Sequence, residues 1–150
     1  MSWRAITEAD LVTRLSGDEL ETFRGTALAE GQPDPVAQIF TQVTDQVRGY
    51  VAGCASNRVG PAGTIPTSLL GTAIDLVLIE IQARAAGMLI DPEDVRKEKA
   101  RAAERRLTDV AACRFAIEKP ETESTEQFGA VTPAASTPHR EFDRRSQDGI

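Results

Sequence analysis

The sequence predicts an all-α protein: a bundle of four to five helices with a long C-terminal helix and an extended C-terminal tail. Three observations carry that prediction. Apolar residues recur with a 3.6-residue period in three long segments. Gly- and Pro-rich stretches separate those segments instead of interrupting them. Hydrophobic residues make up 41% of the 150 residues, but aromatics only 5%. The core must therefore be built from Val, Ile, Leu and Ala, which favours helices packed through small side chains. The helical domain is expected over residues 1–117 and the tail over 118–150.

The first two helices share the stretch "ITEADLVTRLSGDEL". Thr7 followed by Asp10 resembles a capping arrangement, and Ser16 followed by Glu19 is a capping box. They predict a short helix over 8–15, with Leu11, Val12 and Leu15 as its apolar face, and another over 17–28 using Leu20, Phe23 and Leu28. "GQPDP" then breaks the chain; Asp34 can cap and Pro35 suits the first helical position. A third helix is expected over 35–55. Its apolar stripe is Val36, Ile39, Phe40, Val43, Val47, Tyr50, Val51 and Cys54.

"SNRVGPAGTIP" reads as a loop whose tip has Arg58 as its only charge. A fourth helix over 67–86 carries Leu69, Leu70, Ala73, Ile74, Val77, Leu78 and Ile81, and should be the most buried; Gly87 suits the position just past its end. The fifth helix starts at Asp91 and Pro92 and is expected to run until Pro120 stops it. Its first half is charged and Ala-rich, so it should project beyond the core or lie on its surface. Its second half turns apolar at Leu107, Val110, Ala111 and Phe115. From Glu118 onward Ser, Thr, Pro and Glu dominate and periodicity fades. Phe128, Val131, Phe142 and Ile150 are the large apolar residues there and the candidate anchors on a partner protein.

The formal charge of −6 and the pI near 4.9 make a general nucleic-acid binder a poor fit, because phosphate repels such a chain. No apolar run approaches the ~20 residues that span a bilayer, and the opening "MSWRAITEAD" lacks the apolar core of a secretory signal. Cys54 and Cys113 are too few for a disulfide framework and read as two reduced thiols.

Chemistry is hard to find. His139, the single histidine, lies in the tail, which excludes a Ser-His-Asp triad within the helices and any two-histidine metal site. No CxxC, phosphate-binding loop or dinucleotide fingerprint is present. Carboxylates are plentiful, but nothing singles out one pair as acid and base. The expectation is a protein that is not an enzyme and needs no cofactor or metal.

Two patterns remain. Residues 96–106, "RKEKARAAERR", hold Arg96, Lys97, Lys99, Arg101, Arg105 and Arg106 against two acids. They read either as a solvated helix face or as a charged contact with phosphate or an acidic surface. Gly49 and Gly53 flank Tyr50 on the third helix, away from the apolar stripe. Each Gly inside a helix costs about 1 kcal/mol relative to Ala. They read either as a frayed helix end or as a bare strip where another helix or subunit approaches.

Four stretches together resemble the bacteriophage head–tail connector family, which includes Mu-like prophage connector domains and the neck adaptors of long-tailed phages. "ITEADLVTRLSGDEL" is similar to its T-x-x-D-L helix start. "PVAQIFTQVTDQVRGYVAG" is similar to its A-I-x-x-A-x-x-x-I-D-G-Y-L helix, with Arg48 where the family has Asp. In "IPTSLLGTAIDLVLIEI", Pro66, Leu69, Ala73 and Asp75 match a third helix, and "RRLTDVAA" resembles the small-residue end of a fourth. The match covers residues 5–117 in order and spacing.

The resemblance implies a non-catalytic helical adaptor that assembles as a ring, commonly of twelve copies, between the portal protein and a tail-side connector or terminator. The ring would occupy the neck of a virion assembled in the host cytoplasm, leaving a tunnel through which DNA passes without sequence-specific binding. In that frame Gly49, Tyr50 and Gly53 would sit at a subunit interface, the loop at Arg58 would face the tunnel or the next ring, and an acidic wall would let the duplex slide. The alternative from another class is a small DNA-binding packaging or regulatory protein using the basic helix 96–106.

Overall fold

The computed structural model describes residues 2–27, 31–84 and 93–125. Its elements are β1 (Trp3–Arg4), α1 (Glu8–Leu11), α2 (Gly17–Ala27), α3 (Pro35–Gly53), β2 (Ile65–Pro66), a 3-10 turn (Thr67–Leu69), α4 (Leu70–Arg84) and α5 (Glu93–Ala111). The class is all-α. The two strands form a clip of two residues each, antiparallel, pairing Trp3 with Pro66 and Arg4 with Ile65.

α1 is shorter than its apolar pattern suggests. The Thr13 hydroxyl donates to the Asp10 carbonyl at 2.7 Å and the Arg14 N–H to the Leu11 carbonyl at 2.8 Å. These bonds tighten the chain into a turn after Leu11. The turn delivers Ser16 to the start of α2, where the capping box forms in both directions. Glu19 Oε2 accepts from the Ser16 N–H at 2.8 Å, and the Glu19 N–H donates to Ser16 Oγ at 3.3 Å. α3 starts as its sequence dictates: the Asp34 carboxylate accepts the Val36 N–H at 2.9 Å, and Pro35 takes the first turn.

α4 is the centre of the bundle. Thr72, Ala73, Ile74, Leu76, Val77, Leu78 and Ile81 are all buried, and the helix packs against both α3 and α5. Val36, Ile39, Val43, Val47 and Val51 face it from α3, and Leu107 and Val110 are fully buried on α5. Each such side chain contributes about 1.5–3 kcal/mol on leaving water. The first half of α5 lies on the bundle through Arg96, Ala100 and Ala103, spaced at helical intervals and all buried.

α5 ends at Ala111, well before Pro120. Cys113 adopts the left-handed conformation, φ 60°. The Arg114 N–H reaches the Asp109 carbonyl at 2.8 Å and the Cys113 N–H reaches the Val110 carbonyl at 3.1 Å. That pair of bonds is a Schellman motif with cysteine where glycine is usual. The apolar contact that normally closes the motif is replaced by an ion pair, Arg114 Nη2 to Asp109 Oδ1 at 2.7 Å. The expected cap at Asp91, the opening Pro92, the stop at Gly87 and the four tail anchors, Phe128, Val131, Phe142 and Ile150, lie outside the described residues.

Candidate functional site

The most heavily constructed part of the molecule is the end where α3 stops, the loop 54–64 turns, and the chain returns after α5. At its centre is Arg48, which is 2% exposed. A charged group at that depth requires full hydrogen bonding. Its Nη1 donates to the carbonyl oxygens of Gly60, Pro61 and Thr64 at 3.1, 2.6 and 2.9 Å. The loop backbone, which has no sheet or helix of its own, is satisfied by one guanidinium. Gly63 supplies the positive φ of 74° that the turn requires.

Trp3 closes the loop from the other side. A Cβ on Gly60 would lie 2.6 Å from Trp3 Cε3, so only glycine allows the indole to pack there. The Trp3 Nε1–H donates to the Glu118 carbonyl at 2.9 Å, and Ser2 Oγ donates to the Lys119 carbonyl at 3.0 Å. Glu118 in turn caps the 3-10 turn before α4. Its carboxylate accepts from the Ser68 N–H at 3.0 Å and the Ser68 hydroxyl at 2.6 Å. Further along, the Ser124 N–H donates to the Val59 carbonyl at 2.7 Å. Residues 118–125 are thus held by the chain's own N-terminus and loop.

Cys54 and Cys113 form a disulfide across a sequence separation of 59 residues, with Cα atoms 5.3 Å apart. This corrects the expectation of two reduced thiols. Spacing of 54 and 113 carried no hint of the pairing. Proximity arises because α3 and α5 lie side by side and stop at the same level. Gly53 belongs to the same junction: a Cβ there would sit 3.2 Å from the Ala111 Cβ, so its missing side chain lets α5 approach α3 beside the disulfide.

The remaining residues singled out in the sequence are spread over the surface. Gly49 is exposed with open space where a Cβ would go, and Tyr50 is half-buried beside it. Arg58 is exposed but paired with Glu123 at 3.7 Å. On α5, Arg96 is buried at 7% exposure, while Lys97, Lys99, Arg101, Arg105 and Arg106 face outward. Arg106 lies over the Phe115 ring, 5.5 Å from its centroid. With Lys99, Arg14 and Asp75 it lines an open pocket of about 220 Å³, where Arg14 and Asp75 form an ion pair.

Around α1, α2 and the start of α3 the bundle is held by charges. Arg4 chelates Asp10 with both guanidinium nitrogens, at 2.9 and 2.6 Å, and this bond holds the Asp10 carboxyl well below the usual carboxylate range. Glu19 is lowered first by the Ser16 N–H, then by the Ser16 hydroxyl, with the charge of Arg96 adding to both. Arg24 contacts Glu8, Glu21 and Asp34. Among the described residues no cluster of His, Cys, Asp and Glu is arranged to hold a metal. None of the described helices is long and apolar enough to cross a membrane.

A family model described as Bacteriophage Mu, Gp36 matches residues 6–133. No curated protein and no solved structure matches.

Proposed function

From the premise that this chain belongs to the bacteriophage Mu Gp36 family, and so is a phage structural or morphogenetic protein, we propose that it is a head–tail connector. In this reading copies assemble as a ring, of about twelve, between portal and tail-side connector or terminator in the virion neck. DNA passes through the centre without sequence-specific binding, and the protein has no catalytic role.

The match over residues 6–133 is the observation that carries the reading. The internal architecture supports it. The buried charge, the disulfide and the only tryptophan all fix one end of the bundle as a rigid block. Rigid blocks suit a closed ring, whose interface repeats on every subunit and tolerates little variation in shape. The exposed flank of α3 at Gly49 and Tyr50 supplies a low-relief strip for a neighbour. Gly53 is turned to Ala111 of its own chain, so Gly49 is the better probe.

The test is native mass and projection imaging of the protein alone and with its portal. Rings on the portal are expected, and Gly49→Leu should weaken assembly while leaving helical content intact. A protein that stays monomeric with its portal present would sink the reading. The exposed basic residues of α5 favour a second reading, a DNA-binding packaging or regulatory protein. That reading requires steep salt-dependent duplex affinity near neutral pH, which a connector should lack.

A further inference from the structure

The two sulfurs of the disulfide differ in their surroundings. Cys54 is 2% exposed, whereas Cys113 stands at the surface. Ser56 Oγ lies 3.0 Å from Cys54 Sγ, and since a disulfide sulfur carries no hydrogen, the hydroxyl is the donor. Its distance to Cys113 Sγ is 3.9 Å. A pocket of about 280 Å³ opens beside the bond, lined by both cysteines, Ser56, Arg58, Arg114 and Lys119 among others. The Glu118 carboxylate is turned away to Ser68, and of the rim cations Arg58 is paired with Glu123 and Arg114 with Asp109, while Lys119 stands exposed at the edge.

We propose that this pocket is a thiol–disulfide exchange site for a small anionic thiol of the glutathione class. Attack falls on Cys113 and Cys54 departs. The incoming thiolate forms a new S–S bond to Cys113 Sγ as the Cys54–Cys113 bond breaks. Cys54 leaves as a thiolate, which the Ser56 O–H stabilises before water supplies a proton. A better-stabilised leaving group leaves faster, and exposure decides which sulfur can be reached. A second thiolate then attacks the small-molecule sulfur of the mixed disulfide. Cys113 is released as a thiolate, and a small-molecule disulfide forms that carries away the two electrons' worth of oxidation. The reverse sequence, with that small disulfide as oxidant, closes the bond again.

Opening the bond removes the tie on Cys113, a non-glycine residue held at φ 60°, and with it the root of the returning segment 114–125. The bacterial interior is reducing and the exterior is not. The clasp would thus be open during assembly and closed in a released particle. This timing uses the phage membership, not the connector reading, so a failed ring assay leaves the proposal standing.

The experiment treats the full-length oxidised chain with glutathione under native conditions at low salt, blocks free thiols, and maps the adduct by mass spectrometry. The expected product carries glutathione on Cys113 and the blocking group on Cys54. An adduct on Cys54, an inert bond, or two free thiols in the air-oxidised protein would overturn the proposal. Ser56→Ala should slow exchange about three- to fivefold, the size of one modest polar contact, and shift adduct toward Cys54. An unchanged rate and regiochemistry would remove the leaving-group role. Glutathione should outrun a cationic thiol by about three- to fivefold, and Arg58→Gln with Lys119→Gln should abolish that preference. Equal rates in the native chain would refute the anionic selectivity. Cys113→Gly, which keeps the left-handed turn, should fold with unchanged helicity and, treated with glutathione disulfide, leave Cys54 unmodified; a mixed disulfide on Cys54, with one glutathione released as thiolate, would show that Cys54 is reachable and overturn the proposed order.

Discussion

The two flanks of this bundle are held by different physics. Where α3 ends, the loop and the returning chain are fixed by a buried guanidinium, a disulfide and an indole packed on glycine. Where α1 meets α2 and the start of α3, the ties are ion pairs of partly exposed side chains around Arg4 and Arg24. Buried, directional bonds cannot be exchanged for water without leaving an orphaned group. Exposed pairs lose little when broken, because water and salt replace them. One flank should therefore respond sharply to single changes, and the other should absorb them.

Breaking the disulfide tests that contrast most severely. A cross-link over 59 residues restricts the unfolded chain by about 4 kcal/mol on the loop-entropy estimate. Reduction, or Cys54→Ser, should lower stability in urea by that order; a loss below about 1 kcal/mol would show that packing alone holds the junction. Arg48→Ala comes next. It strands three loop carbonyls, and a loss of about 3 kcal/mol is expected, read from the urea midpoint at unchanged slope. Gly60→Ala forces the Trp3 ring aside and should cost about 1–3 kcal/mol.

The charged flank supplies the small effects. Asp10 caps Thr7 and binds Arg4, so Asp10→Asn should cost about 1 kcal/mol at neutral pH. Because its folded pKa is depressed, chiefly by Arg4, its contribution is present above the ordinary value of 3.8 and fades as pH falls through and below it. The Asn variant should therefore lose less stability than the native chain on acidification, as thermal melts across that window can check. Arg24→Met should cost under about 1 kcal/mol, with the difference shrinking at high salt. A larger, salt-insensitive loss would erase the distinction between the flanks.

The same contrast marks what could be read from the sequence. The charged, local flank was legible: the Ser16–Glu19 box and the Asp34–Pro35 start follow from residues a few positions apart, and the structure contains both. The apolar stripes of α3, α4 and the second half of α5 were legible for the same reason, since helical periodicity is local. The clasp was not. Arg48 looks like a charge at the edge of a stripe until a loop 12 to 16 residues away folds over it. The end of α5 was misplaced by nine residues, from Pro120 to Ala111, because cysteine carries no propensity for the left-handed turn that glycine would have announced. Glu118 caps a helix turn 50 residues upstream, a partnership no spacing rule anticipates.

The single tryptophan makes the clasp optically visible. Trp3 is buried, packs over Gly60 and gives its indole N–H to the Glu118 carbonyl, so its ring reports on the loop and the returning chain. Its emission colour will register the loosening of the clasp and will stay nearly silent while the Arg24 side frays. Fluorescence and far-ultraviolet circular dichroism recorded on one melting sample should then part company whenever the two flanks separate, and coincide when the chain unfolds as a unit.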